Sequence, residues 1–410
     1  MLASLQSLPT QVRQYMLVTA NYWAFTLTDG ALRMLVVLYF HQLGYSPLAI
    51  AMLFLFYEFF GVVTNLFGGY LGARFGLNRT MNIGLGLQIL ALLMLLVPTE
   101  WLTIAWVMVA QALSGIAKDL NKMSAKSSIK ALVAKGAEGT LYKYIALLTG
   151  SKNTLKGVGF FLGGVLLALF GFHGAVLLMA LGLTLVWCVS LIKLKQDLGK
   201  ASTKPKFKQI FSKSRNINIL SAARMCLFSA RDVWFVVALP VYLASQFGWD
   251  HYWVGGFLAT WVIAYGVVQS LAPKITGSQQ VDGATAPGGR AALFWAFLLT
   301  LVPIGIAMAM STLAEPQWWL IIGLIVFGVV FAINSSLHSY LIVSYASDDG
   351  VSLDVGFYYM ANAMGRLIGT ILSGWIYQSA GLVACLWVAA GLLVVTTVIS
   401  YYLPDRSPSH

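Results

Sequence analysis

Twelve apolar runs, each about 20 residues or longer and each closed by a short polar break, succeed one another along this chain. An α-helix rises ~1.5 Å per residue, so ~20 apolar residues cross the ~30 Å hydrocarbon core of a bilayer. The runs are 16–43, 47–71, 80–98, 101–123, 140–170 and 172–192, then 217–247, 252–272, 291–313, 317–345, 355–379 and 381–403. Turn-forming residues mark the junctions, as at Gly44-Tyr45-Ser46-Pro47, Pro98-Thr99-Glu100 and Glu315-Pro316. Of the 410 residues, 59% are hydrophobic and 10% charged, against ~25% charged in a soluble domain. So few charges cannot clothe a water-facing exterior. The expected fold is an all-α membrane protein with twelve transmembrane helices.

The formal charge of +12 follows the membrane pattern. The segment 193–215 holds Lys193, Lys195, Lys200, Lys204, Lys206, Lys208, Lys213 and Arg215 against Asp197 alone. Arg74, Arg79, Lys135, Lys274, Arg290 and Arg406 fall on the same side, while the opposite loops carry Glu100, Asp250 and Glu315 and no Lys or Arg. Cationic loops stay in the cytoplasm, so both termini are expected there, in a multi-pass protein of the inner (plasma) membrane. The acidic loop 346–354, with Asp348, Asp349 and Asp354, departs from that asymmetry. No small-residue cleavage site follows the first apolar run, so that run is expected to stay as a helix. No basic domain stands outside the membrane pattern, and nucleic acid is not an expected partner.

The basic segment also divides the chain into an N-terminal part, 1–192, and a C-terminal part, 216–410, joined by the linker 193–215. A shift of 210 residues lays Lys156 on Arg366, Gly159 on Gly369, Gly164 on Gly374 and Gly171 on Gly381. A shift of 203 lays Asp29 on Asp232, and one of 213 lays Gly115 on Gly328 and Asn121 on Asn334. Similar shifts at corresponding helices point to an internal duplication. Two parallel six-helix halves are the architecture of the major facilitator transporters. The stretch Gly68-Gly69-Tyr70-Leu71-Gly72-Ala73-Arg74-Phe75-Gly76-Leu77-Asn78-Arg79 resembles the signature between helices two and three of that superfamily. Ala73 stands where the superfamily usually has an acid.

Charged residues inside the runs are costly, roughly 2.5–3.5 kcal/mol each at a helix centre, and persist where they face a partner or a watery cavity. Near mid-depth lie Asp29, Arg33, Glu58, Arg231 and Asp232; nearer the cytoplasmic ends lie Lys118, Asp119, Lys122, Lys152, Lys156, Arg224 and Arg366. Eight cations against four anions leave an excess of four positive charges. Asp29 and Arg33 are four apart, so they share a helix face and can pair. Glu58 sits among Phe54, Phe56, Tyr57, Phe59 and Phe60, and is either a proton-carrying acid or the partner of Arg33 or Arg231. Lys118, Lys122, Lys126 and Lys130 form one stripe. Lys126 and Lys130 are expected to sit in the headgroup interface, while Lys118 and Lys152 either snorkel there or face a cavity. Arg33, Lys156, Arg231 and Arg366 are too deep for snorkelling and favour a functional cavity. Arg grips phosphate or carboxylate through a planar fork and Lys adds a movable point charge, so the composition points to a small anion with more than one anionic group. Asn21, Asn65, Asn121, Asn153, Asn334, His338 and Asn362 either hydrogen-bond such a cargo or join helices.

Enzyme chemistry finds no footing. No phosphate-binding glycine loop with Lys-Ser/Thr is present, so ATP is not expected to power transport. Cys188, Cys226 and Cys385, and the histidines His41, His173, His251, His338 and His410, show no metal-ligand spacing. No cofactor and no metal are expected.

Four stretches carry a narrower likeness: Asn21 to Arg33, Phe54 to Gly61, Gly115-Ile116-Ala117-Lys118-Asp119-Leu120-Asn121-Lys122-Met123-Ser124-Ala125-Lys126, and Gly150-Ser151-Lys152-Asn153-Thr154-Leu155-Lys156-Gly157. They resemble the organoarsenical efflux permeases called ArsJ, a likeness most specific in the first five helices. That resemblance implies a role in arsenate resistance. In that family, glyceraldehyde-3-phosphate dehydrogenase joins arsenate to its substrate, and the permease exports the resulting 1-arseno-3-phosphoglycerate. The dehydrogenase would then be a pathway partner. On this reading Arg33, Arg231, Lys156 and Arg366 bind the anionic ends of the cargo, and Lys118, Lys122 and Lys152 guide it in. Asp29, Glu58, Asp119 and Asp232 are left as charge partners or proton carriers. The competing expectations are a general organophosphate or drug exporter and, more remotely, a non-transporting scaffold or sensor.

Overall fold

The computed structural model describes residues 10–45, 50, 53–134, 136–194, 200–201, 213–249, 251–276 and 287–405. The break at Ser46-Pro47, most of the basic linker 193–215 (Lys195, Asp197, Lys204, Lys206 and Lys208 among it), Lys135, Asp250, Arg406 and His410 lie outside the described residues.

Among the described residues, the spans expected from hydropathy are largely helical. We label them α1 (Thr10–Gln42), α2 (Leu55–Phe75), α3 (Leu77–Met94), α4 (Ile104–Leu132), α5 (138–170), α6 (172–193), α7 (Arg215–Phe247), α8 (His251–Ile275), α9 (Gly289–Thr312), α10 (Pro316–Tyr345), α11 (351–380) and α12 (382–400). α5 and α6 run on from one another over 56 residues, about 84 Å of helix, which no bilayer accommodates in one crossing. Gly171 breaks them with φ 67° and ψ −178°, and Gly381 breaks α11 from α12 with φ 78° and ψ −176°. Side-chain-bearing residues avoid that conformation, so two glycines that the 210-residue shift superposes both turn the chain between helices. α7 is interrupted at 236–237, where Pro240 lacks the N–H that would reach the carbonyl of Val236.

Among the described residues seven helical stretches are long and apolar enough to cross a membrane, 138–193 and 351–400 among them. α4 is not among them, because charged and amide residues lower its mean hydropathy. It also continues nine residues past the apolar run that announced it, to Leu132, since Lys, Ser and Ala all sustain a helix. Leu169, Leu185 and Trp375 are about 70% exposed, as suits side chains that face lipid.

The described helices fall into two compact units. Unit 1 comprises Met1–Ala137, Ser151–Ser212 and Ala346–Phe357; unit 2 comprises Glu138–Gly150, Lys213–Tyr345 and Tyr358–His410. α5 thus begins in unit 2 and continues in unit 1, while α11 does the reverse.

Small residues set the helix crossings, because close backbone approach replaces the hydrophobic drive that lipid removes. In unit 1 a Cβ on Gly159 would stand 2.7 Å from the carbonyl oxygen of Leu27, and one on Gly30 2.7 Å from that of Lys156. In unit 2 a Cβ on Gly369 would stand 2.7 Å from the carbonyl oxygen of Ser229. α1 meets α5 as α7 meets α11.

The duplication recurs in hydrogen bonds. Asn121 donates to the carbonyl of Ala117 at 2.9 Å, and Asn334 donates to that of Val330 at 3.1 Å. Asn121 also lies against Gly84 of α3, while Asn334 reaches the carbonyl of Trp295 on α9 at 2.7 Å. The two asparagines that the 213-residue shift superposes thus each bond one turn back along their helix and abut a neighbouring helix.

Candidate functional site: charge clusters within the spanning helices

In unit 1, α2 packs on α4 where Gly115 admits the backbone of Tyr57. That approach makes Tyr57 the centre of a charged web. Its hydroxyl donates to Asp29 of α1, 2.8 Å from Oδ1 and 3.0 Å from Oδ2. The Lys118 ammonium lies 3.8 Å from its ring centroid and the Arg33 guanidinium 5.4 Å. Arg33 also lies 4.9 Å from the ring of Phe54. Its Nη1 is 3.5 Å from Oε1 of Glu58. Asp119 is buried against Gly61 and shared by two ammonium groups, Lys122 at 2.6 Å and Lys118 at 3.9 Å. Lys152 and Lys156 are half-buried on α5, the latter 5.9 Å from the ring centroid of Phe160.

Unit 2 repeats the sharing motif with arginines. Asp232 of α7, fully buried, receives Nε of Arg231 at 2.5 Å, and Nε of Arg366 on α11 lies 3.4 Å from its other oxygen. Arg231 and Arg366 are 16% and 31% exposed, so both reach beyond the carboxylate that they share. Arg231 stacks on Phe228 at 4.6 Å and Phe331 at 5.4 Å. Such contacts add to the stabilisation of a cation that shares its carboxylate with a second one.

Several expectations need correction. Asp29 does not pair with Arg33; a shared face is necessary but not sufficient, and α2 supplies both of them with other partners. Glu58 forms the ion pair with Arg33 that was one of its alternatives. Lys126 is buried, 3% exposed, rather than turned to the interface. Lys130 binds the carbonyl of Ala346 and lies 3.5 Å from Asp348, which accounts for acid in a loop that broke the charge asymmetry. Lys118 lies over Tyr57 instead of snorkelling. Where Ala73 replaces an acid, its carbonyl accepts from Ala201 N–H at 2.9 Å. The end of α2 is instead clasped by Ser352, which donates to the carbonyl of Gly69 at 2.8 Å.

The polar residues divide. Asn21 joins α1 to α6 through Ser190 Oγ at 2.8 Å, Asn65 caps a carbonyl of its own helix, and Asn362 accepts from Arg224 at 2.8 Å. Tyr57 is the residue that sequence reasoning missed. Its place among aromatics hid the hydroxyl, although Asp29 and Glu58 were both recognised as acids in need of donors. Among the described residues no group of His, Cys, Asp or Glu stands together as metal ligands, and the three cysteines are free thiols.

The hydroxyl of Tyr57 predicts a measurable coupling. Tyr57→Phe keeps the ring beneath Lys118 but leaves buried Asp29 without this donor, at a cost of about 1–3 kcal/mol. Thermal unfolding in detergent should show that loss, and Asp29→Asn in the Tyr57→Phe background should recover part of it. Additive losses would mean that the two residues act independently.

The sequence model of the Major Facilitator Superfamily matches residues 18–280 and 284–410. The chain belongs to that superfamily, and it is a multi-pass membrane transporter rather than an enzyme. Among solved structures it is similar to a bacterial homologue of the iron transporter ferroportin in its outward-facing state (TM-score 0.73, 12% identity, 94% of this chain and 98% of that one). It is similar also to the human organic anion transporter MFSD10 (TM-score 0.73, 15% identity, 96% and 100%). A third likeness is to FucP in the outward conformation (TM-score 0.71, 13% identity, 96% and 99%). At these identities the likeness is one of fold. No protein of curated function matches the sequence.

Proposed function

We propose that this transporter exports a small organic anion bearing two anionic groups, 1-arseno-3-phosphoglycerate, across the inner membrane by alternating access, and so confers arsenate resistance. The supporting observation is cations clustered at depth: in unit 2 the guanidinium groups of Arg231 and Arg366 both lie against the buried carboxylate of Asp232. Ionisable residues kept within spanning helices mark a ligand site or an ion path. Arg33, Lys156, Arg231 and Arg366 bind the anionic ends of the cargo. Lys118, Lys122 and Lys152 guide it from the cytoplasm, where both termini and the linker 193–215 between the halves 1–192 and 216–410 reside. Asp29, Glu58, Asp119 and Asp232 balance these charges, and Glu58, Asp29 or Asp232 carries a coupling proton. The identity of the cargo, and glyceraldehyde-3-phosphate dehydrogenase as its supplier, rest on the resemblance to ArsJ.

Two measurements test this reading. Arsenate-sensitive cells should gain resistance when they express this chain with the dehydrogenase, and not with either alone. Inverted vesicles should take up 1-arseno-3-phosphoglycerate in preference to glycerol 3-phosphate. Equal uptake would favour a general organophosphate exporter, and no uptake of either would reject anion export.

A further inference from the structure

Among the described residues of unit 2, the most buried cation lies against neutral acceptors. Arg224 on α7 is 3% exposed. Its Nε donates to Oδ1 of Asn362 at 2.8 Å and its Nη1 to the carbonyl of Ser335 at 3.2 Å, both neutral acceptors. The guanidinium lies 4.0 Å from the ring centroid of Phe228 and 5.3 Å from that of Tyr358. Among the described residues no carboxylate lies within ion-pair distance of it. Phe228 is itself stacked by Arg231, so two guanidinium groups share one ring. His338, within electrostatic reach of Arg224, is fully buried with neither ring nitrogen hydrogen-bonded.

A buried guanidinium with only neutral acceptors bears a desolvation penalty of several kcal/mol that dipoles offset in part. The missing element is an anion. A guanidinium has five N–H donors, and the bonds to Asn362 and Ser335 leave donors for a tetrahedral oxyanion. The unbonded His338 ring adds hydrogen-bonding capacity close by. A carboxylate would serve an ordinary structural role at this position, and the chain places the isosteric amide of Asn362 there instead.

We infer that Arg224, with Asn362 and His338, forms an oxyanion subsite of the phosphate or arsenate class in unit 2, apart from the pair of guanidinium groups on Asp232. This rests on the reading of the protein as an anion carrier and extends it to a site that closes when the anion supplies the missing charge.

The test uses the full chain in detergent, inorganic phosphate and arsenate as probes, and calorimetric or thermal-shift titration. Asn362→Asp places a permanent carboxylate against Nε of Arg224. It should raise the melting temperature without ligand and weaken phosphate and arsenate binding at least tenfold. Arg224→Lys should weaken binding similarly, because one ammonium cannot replace the fork. Binding unchanged in folded Asn362→Asp and Arg224→Lys proteins, with Arg231→Gln weakened, would overturn the subsite and leave the carrier reading standing. Should Asn362→Asp fail to fold, Arg224→Lys decides. Wild-type protein that binds neither oxyanion would overturn both.

Discussion

Asp232→Asn is expected to destabilise the transporter by about 3–5 kcal/mol, the usual consequence of removing one member of a buried ion cluster. Asp232 is fully buried and is the common counterion of Arg231 and Arg366. Asparagine fills the same volume, and a Cβ on neighbouring Gly369 would stand 2.9 Å from Cβ of Asp232, so packing is kept and charge alone changes. The loss should appear as a fall in melting temperature in detergent. Added phosphate should reverse more of that fall than it stabilises the wild type, because an anion bound to the freed guanidinium groups stabilises the folded state by mass action. Chloride at equal ionic strength should not. A melting temperature unchanged from wild type would show that Asp232 does not hold the two arginines.

The second large effect is on transport. Arg33→Gln combined with Arg366→Gln should lower vesicle uptake of the organoarsenical by at least about 100-fold, as two charge-assisted hydrogen bonds at roughly 1.5 kcal/mol or more each are lost. Both side chains are about 30% exposed, so the fold depends on them less than on Asp232. Glu58 loses Arg33, and its 30% exposure lets water solvate it. Asp232 keeps Arg231. The double variant should insert in the membrane and elute as the wild type does. Retained uptake in a correctly inserted protein would remove both arginines from the substrate path.

Much of the fold was legible in one dimension. Gly171 and Gly381, matched by a shift of 210 residues, both turn the chain through a conformation that side-chain-bearing residues avoid. Asn121 and Asn334, matched by 213, make the same bond one turn back along their helices. The charged residues were legible as well, but their pairing was not. Four-residue spacing put Asp29 beside Arg33, yet each takes its partner from α2, Tyr57 and Glu58 respectively. Lys126 and Lys130 read as interface lysines until α4 proved longer than its apolar run. Arg224 was visible as one of eight cations within the spans, and nothing along the chain marked its acceptors, Asn362 and the Ser335 carbonyl, as neutral.

That division has a physical cause. Which segments cross the lipid depends on transfer free energies summed over consecutive residues, and a glycine hinge depends on its own backbone, so sequence alone determined the helices, their breaks and their repetition. Which charges neutralise one another depends on distances of a few ångströms between helices remote in sequence. Crossings set by Gly30, Gly115, Gly159 and Gly369 fix those distances, and only the tertiary structure decided them.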